Sequence, residues 1–272
     1  FGLERELGSI SPGRRADVIL TSDLENLPIE LVIARGIKVA KNGNTIIDPV
    51  LLKWPHFVRN TVKLSRNLIA TDFLISAPKM KNSVKVKIIG VIENQAPTKL
   101  LTDILPVENG FVRGDIDRDI CQVALVERHR GTGKITNGFV SGFGYNGKCA
   151  VASTVAHDSH HMLVVGTDQQ NMALAGNHLA KIGGGITVFK DGLELATVPL
   201  NIAGLMSDSP AKIVAESANS MVSAMKECGC GINNGYMQHS LLALAVIPEL
   251  RISDLGLVDV EKFELTELFD VI

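Results

Sequence analysis

Apolar residues along this chain fall first into short runs with polar alternation and only later into helical stripes, so strands are predicted to dominate the first half. Residues 16–21 (ADVILT) read as a short strand, and 31–34 and 37–40 as two more around Arg35-Gly36. Asn42-Gly43 supplies the left-handed residues of a tight hairpin before 44–47. Residues 48–83 carry Pro49, Pro55, Pro78 and Trp54 and read as a connector that returns a strand to this β unit through 60–62 and 72–73. A domain boundary is expected near residue 80. Beyond it Val84, Val86 and Ile88 alternate with Lys85 and Lys87, the period of a half-buried strand.

Residues 106–120 (PVENGFVRGDIDRDI) read as a solvated loop, because Asp115, Asp117 and Asp119 lack the glycine and distal glutamate of a calcium loop. Residues 121–127 (CQVALVE) then form a buried strand, and Arg128-His129-Arg130 reads as its solvated end, with anion binding as the alternative. Asp168 is placed to cap a helix whose apolar stripe runs through Met172, Ala175, Leu179 and Ile182. Gly183-Gly184-Gly185 ends it; a phosphate cradle needs the opposite order, glycines leading into a helix. A hairpin about Asp191-Gly192 follows, then an apolar loop over 199–207, and a helix capped by Ser209 with Pro210 at its first position. The last segments are a buried stretch over 237–248, with His239 as a core residue, and a polar, acidic tail.

At 272 residues, 46% of them hydrophobic, the chain has length for a sizeable core in one large or two medium domains. A formal net charge of -2, with cations scattered, leaves no footprint for nucleic acid or an anionic membrane. The longest apolar run, 241–248, is far short of the ~20 residues of a membrane span. The 4 cysteines fall too irregularly for a disulfide framework. Reduced thiols and a cytoplasmic location are the expectation.

Candidate chemistry concentrates in 138–166, where a glycine-rich turn and an apolar run lead into His157, Asp158, Ser159, His160 and His161. Three imidazoles and a carboxylate between two apolar runs point to polar groups held at the junction of two buried strands, facing a site. The competing reading is a hydrogen-bonded corner in which Asp158 and Ser159 only satisfy backbone amides.

Two sets of motifs carry a family resemblance. LGSISPGRRADVILTSD (7–23), followed by VIARGIKVAKNG (32–43), resembles the segment that leaves the barrel of amidohydrolase-superfamily enzymes and builds a β-sandwich beside it. ENGF (108–111), SGFG (141–144), AHDSHH (156–161), VVGT (164–167), MALA (172–175), GGG (183–185), PLNIAGLMSD (199–208) and VIPEL (246–250) resemble the carboxy-terminal domain of bacterial and archaeal adenine deaminases. One departure stands out: that family ends its motif HDSHN, and His161 occupies the last place here.

The resemblance implies a mixed α+β, or α/β, fold in two domains. Residues 1–80 would carry the barrel exit, a β-sandwich segment and the connector, and 81–272 a layered α/β domain with mixed sheets. It further implies a purine-salvage hydrolase that converts adenine to hypoxanthine and ammonia, with a divalent metal pair, Mn2+ or Fe2+, activating water in an upstream barrel domain. A homo-oligomer is implied as well. On this basis the chain binds no metal itself, is inactive alone, and offers His157, Asp158 and His160 as residues near the substrate. Two alternatives stay open: a structural or oligomerisation module, with the 199–206 loop in subunit contacts, and a related amidohydrolase acting on another cyclic amidine.

Overall fold

A computed structural model describes residues 1–48, 52–78 and 82–270. The chain divides into two compact units, Phe1–Lys53 and Trp54–Ile272. The boundary expected near residue 80 falls at 79–81, and Pro49 at 49–51, both outside the described residues.

The first unit is a four-stranded antiparallel meander of β1 (Val18–Thr21), β2 (Ile29–Ala34), β3 (Ile37–Lys41) and β4 (Asn44–Thr45). Its hairpins turn where the sequence supplies left-handed backbone: Arg35-Gly36 with φ of 52° and 79°, and Asn42-Gly43 with φ of 48° and 76°. The Asp17 carboxylate accepts the Arg35 N–H at 2.6 Å and fixes the first of these turns. No described side chain of this unit is fully buried, and Ile19 and Ile37 are 59% and 62% exposed.

The second unit is built on a ten-stranded mixed sheet. In chain order its strands are β5 (Ile75–Ser76), β6 (Ser83–Val91), β7 (Thr98–Glu108), β8 (Phe111–Val112), β9 (Ile120–Val126), β10 (Ile135–Ser141), β11 (Cys149–Ser153), β12 (Met162–Gly166), β13 (Gly185–Lys190) and β14 (Leu193–Pro199). Across the sheet the order is β14-β13-β11-β12-β9-β10-β6-β7-β8-β5, with β6 and β10 the parallel pair. Helix α1 (Gln169–Ile182) connects β12 to β13; α2 (Ala211–Glu227) and α3 (Gly235–Leu241) follow β14. A three-stranded antiparallel sheet, β15 (Leu250–Ser253), β16 (Gly256–Asp259) and β17 (Glu264–Thr266), closes the unit. The sheet does not close into a barrel, and the fold is mixed α+β, as expected.

Strand alternation sorts the core into two faces. Ala124, Val126, Ala150, Ala152, Met162 and Val164 pack with Met172, Ala175 and Leu179 of α1 and with Leu68 and Phe73 of the connector. Val123, Leu125, Val151, Leu163 and Val165 pack on the other side with Met221 and Met225 of α2 and with Leu250, Ile252 and Leu257 of the small sheet. Every residue of β9 is buried, which is why its sequence reads as one apolar run.

Strand β8 covers the outer edge of β7 only at Val107 and Glu108, and specific bonds close it over 98–104. Thr98 N–H donates to Pro248 O at 2.9 Å, and Leu100 N–H donates to the Glu249 carboxylate at 2.7 Å. The Ile104 N–H donates to Asp103 Oδ1 at 2.7 Å and its carbonyl accepts from Arg118 at 3.2 Å. Such blocking removes the ladder groups that would template edge-to-edge association.

Several expectations change. Residues 60–62 and 72–73 form no strand: the connector makes two 3-10 turns, His56–Val58 and Ala70–Phe73, and Phe73 lies in the core of the second unit. The 106–120 stretch contains the end of β7, its Asn109-Gly110 hairpin, β8 and a 3-10 turn capped by the Asp115 side chain, so much of it is structured. Ser209 does not cap α2; Pro210 is the residue before its first turn, and the Ser209 N–H donates to the Ser207 hydroxyl. The polar tail is the small sheet, and Arg251 within it is fully buried, donating to carbonyls of Ala96, Leu241, Ile247 and Pro248. His239 is the expected core histidine, its Nε2 3.2 Å from Val151 O, and burial holds its pKa down at about 4.

The triple glycine does stop α1, with Gly183 in the left-handed conformation at the C-cap. Gly184 has φ of 118°, and a Cβ there would lie 2.5 Å from Gly204 Cα and 3.0 Å from Thr154 Oγ1. Gly184→Ala is therefore expected to cost about 2–4 kcal/mol, through the left-handed backbone and the displaced 199–206 loop together. A urea midpoint unchanged from the parent would refute that packing.

Candidate functional site

The AHDSHH motif is the connection between the neighbouring antiparallel strands β11 and β12. A tight two-residue turn is not possible for the eight residues 154–161, and the loop is instead held from outside. Thr154 Oγ1 donates to Gly204 O at 2.6 Å and accepts from Gly185 N–H at 2.8 Å. The His157 N–H donates to Ser240 O of α3 at 3.0 Å, and the His160 N–H closes back on Ala156 O at 2.7 Å. Apart from Thr154 Oγ1, backbone atoms carry these attachments, and the side chains of 157–159 take no part in them.

The firmest clamp is Arg128. It is 1% exposed and faces no carboxylate; its Nε donates to His160 O at 2.6 Å, Nη1 to Thr61 Oγ1 at 3.2 Å and Nη2 to Ala203 O at 3.1 Å. One guanidinium thus joins the motif loop, the connector and the 199–206 loop. Burial pushes its pKa down to about 10, which still leaves it charged at neutral pH. The expected solvated strand end at 128–130 is corrected here: Arg128 points inward because β9 carries it into the core edge, and only His129 and Arg130 are exposed.

Glu127 organises the turn that follows. Its carboxylate accepts from the N–H groups of His129 (2.5 Å), Arg130 (2.7 Å) and Thr132 (2.9 Å) and from the Thr132 hydroxyl (2.9 Å). Burial raises its pKa, but these donors outweigh it and hold the carboxyl at about 2. His129 in turn places its Nε2 2.7 Å from Ser159 O, a second attachment of the motif loop.

The five motif residues divide. Asp158 and Ser159 are exposed and His157 and His160 half-buried, with the two imidazoles 5.2 Å apart at 63°. His160 Nδ1 accepts the Ala156 N–H at 3.2 Å, which fixes the neutral ring with its proton on Nε2. Burial lowers the His160 pKa, helped by the neighbouring His157 and Arg128 charges. His161 leaves the group: its ring packs on His129, centroids 4.7 Å apart, with Nε2 3.7 Å from Asp254. Burial and His129 lower its pKa.

The structure therefore brings His157, Asp158 and His160 together on one exposed loop. Glu127, Arg128 and His129, which hold that loop, were not singled out as site residues; adjacency in ERHR to a glycine turn was the available signal. Among the described residues no group of three His, Cys, Asp or Glu side chains converges to hold a metal. The residues present do not fit the metal pair that the resemblance implies. All four cysteines are free and buried. What the loop can do is hydrogen-bond: a neutral Nε2–H donor, a second imidazole and a carboxylate acceptor.

Comparison with known proteins gives the family of the chain. The family profile described as Adenine deaminase C-terminal domain matches residues 95–264. An adenine deaminase of Ruegeria sp. (strain TM1040) is 65% identical over 264 residues, 97% of this chain and 44% of that protein. One from Paracoccus denitrificans (strain Pd 1222) is 63% identical over 268 residues, and one from Moorella thermoacetica 44% identical over 268 residues. These matches take in 98% of this chain, and 44% and 45% of the two proteins. The chain spans less than half the length of the curated relatives it matches.

The Glu127 network generates a pH dependence. A carboxylate held below its ordinary value stabilises the fold above pH about 4.5, and that contribution is lost as pH falls toward about 2. Glu127→Gln is expected to flatten stability across that acid window while lowering it at neutral pH. Urea midpoints measured against pH read both effects, and a variant with the parent's acid slope would refute the assignment.

Proposed function

Because the chain belongs to the adenine deaminase family, through its C-terminal domain, we propose that it serves as the substrate-side half of an adenine deaminase. The reaction is hydrolysis of adenine to hypoxanthine and ammonia. The water-activating metals, manganese or iron, are assigned to an upstream barrel domain of the longer enzyme, in keeping with the share of its relatives' length that the chain covers. Homo-oligomeric assembly and a cytoplasmic location belong to the same reading.

The observation that carries the proposal is the fixed tautomer of His160. With Nδ1 occupied by the Ala156 N–H, the imidazole presents Nε2–H, and the ring nitrogens of adenine are acceptors. Asp158, exposed beside it, complements the 6-amino group, which is a donor until it leaves. His157 is placed to donate or accept according to which purine nitrogen it meets. A donor and an acceptor side by side suit the two-sided hydrogen-bonding edge of adenine, and they bind and orient it without performing the hydration.

The alternative of a purely structural corner is disfavoured by where the bonds go. The loop is anchored through backbone carbonyls and amides, and the Asp158 side chain makes no bond to any described residue that would explain it as a cap. The 199–206 loop, the expected oligomer contact in that alternative, is tied inward by Ala203 N–H to Val58 O and by Arg128.

In the intact enzyme, His160→Ala is expected to lower kcat/KM about 10- to 100-fold, roughly 1.4–2.7 kcal/mol. Unchanged kinetics would count against the role. The 272-residue chain alone, supplied with Mn2+, is expected to show no turnover of adenine; a rate comparable with an intact deaminase would overturn the division of labour.

A further inference from the structure

His161, the member of the motif that leaves its neighbours, faces a different space. A cavity of about 370 Å3 is lined by Glu127, His129, Arg130, Lys134, His161 and Asp254, together with Thr132. None of His157, Asp158 or His160 lines it.

The charges around this cavity are unevenly satisfied. Glu127 already accepts four hydrogen bonds from its own turn. Arg130 and Lys134 stand on and beside that turn, both exposed. Neither cation has an ion-pair partner among the described residues. Across the cavity His161 is 8% exposed and its Nδ1 has no hydrogen-bond partner, while Asp254 faces the other ring nitrogen. A buried unpartnered nitrogen is unfavourable, and a bound oxygen atom would offset this once the ring turns toward it.

We propose that this cavity is an oxyanion site that takes phosphate, either free or as the monoester of a small molecule such as a nucleoside monophosphate. An apolar ligand would leave the two cations and the imidazole nitrogen without partners. A carboxylate supplies acceptors only. A hydrogenphosphate group supplies acceptor oxygens for Arg130 and Lys134 and, in its singly protonated form, a hydroxyl for the His161 nitrogen. Arg130 offers the forked donor that suits two phosphate oxygens, and Lys134 a mobile point charge. The site is separate from the adenine-binding role proposed for His157, Asp158 and His160 and does not depend on it.

Inorganic phosphate and adenosine 5′-monophosphate titrated in parallel into the full chain, at constant ionic strength, test the proposal by calorimetry. Saturable binding at one site is expected, weakened at least about tenfold in the R130Q/K134Q double variant. The K226Q variant, a cation exposed elsewhere, should bind like the parent. Equal affinity for the two ligands would assign the site to the phosphate group alone, and tighter binding of the nucleotide would extend it to the base and sugar; both uphold the proposal. Binding that does not saturate, or that the double variant retains, would overturn it. Both substituted side chains are exposed, and single variants read separately keep the comparison valid if the double variant loses stability. No turnover is measured, so the result is independent of the deaminase reading.

Discussion

A buried guanidinium bonded only to neutral acceptors is the constraint on which this corner of the molecule depends. Arg128 is 1% exposed, and leaving a charge there without partners would cost several kcal/mol. The fold meets that demand by bringing carbonyl or hydroxyl oxygens of Thr61, His160 and Ala203 to three faces of one planar group. Those residues come from three separate segments, so the position of the motif loop follows from satisfying the cation. Lysine would not substitute, because a single ammonium lacks the fixed fork that reaches three directions at once. Gly204 permits the arrangement: a Cβ there would lie 2.9 Å from Nη1 of Arg128.

The neighbouring Glu127 shows the complementary solution. Its negative charge is taken up by the amides of its own turn, not by Arg128, so two adjacent charged residues are each solvated by backbone of opposite polarity. The cation gathers distant loops and the anion rigidifies a local one. His129, carried on the local turn, then reaches Ser159 and ties the two systems together.

Local signals in the sequence were legible where one residue suffices to explain them. Asn42-Gly43 and Asp191-Gly192 turn hairpins, Asp168 caps α1 through its side-chain bond to the Asn171 N–H, and Gly183 ends it. Strand β9 was legible because burial on both faces makes it uniformly apolar. Strand β7 was not: its exposed Leu101 and Ile104 blur the alternation, and what closes its edge, Glu249 and Arg118, lies far away or on another turn. The small sheet read as polar tail because Arg251 breaks the apolar pattern, and only the carbonyls of Ala96, Leu241, Ile247 and Pro248 make its burial tolerable. For the candidate site, the motif named its residues but not its division, since contacts of His161 with His129 and Asp254 are long-range.

That division bears on His161, where the resemblance leads one to expect asparagine. His160 is committed by a backbone amide to one neutral tautomer, so its chemistry is set before any ligand arrives. His161 has no such commitment: one nitrogen faces a carboxylate 3.7 Å away and the other faces nothing. An asparagine in this place would offer donor and acceptor on one short amide and would bring no ring to pack, tilted by 51°, against His129. The change is therefore expected to alter the cavity beside Arg130 and Lys134 and to leave the group of His157, Asp158 and His160 intact. A loop anchored by its backbone allows that separation, because its fifth side chain can change partners without moving the other four.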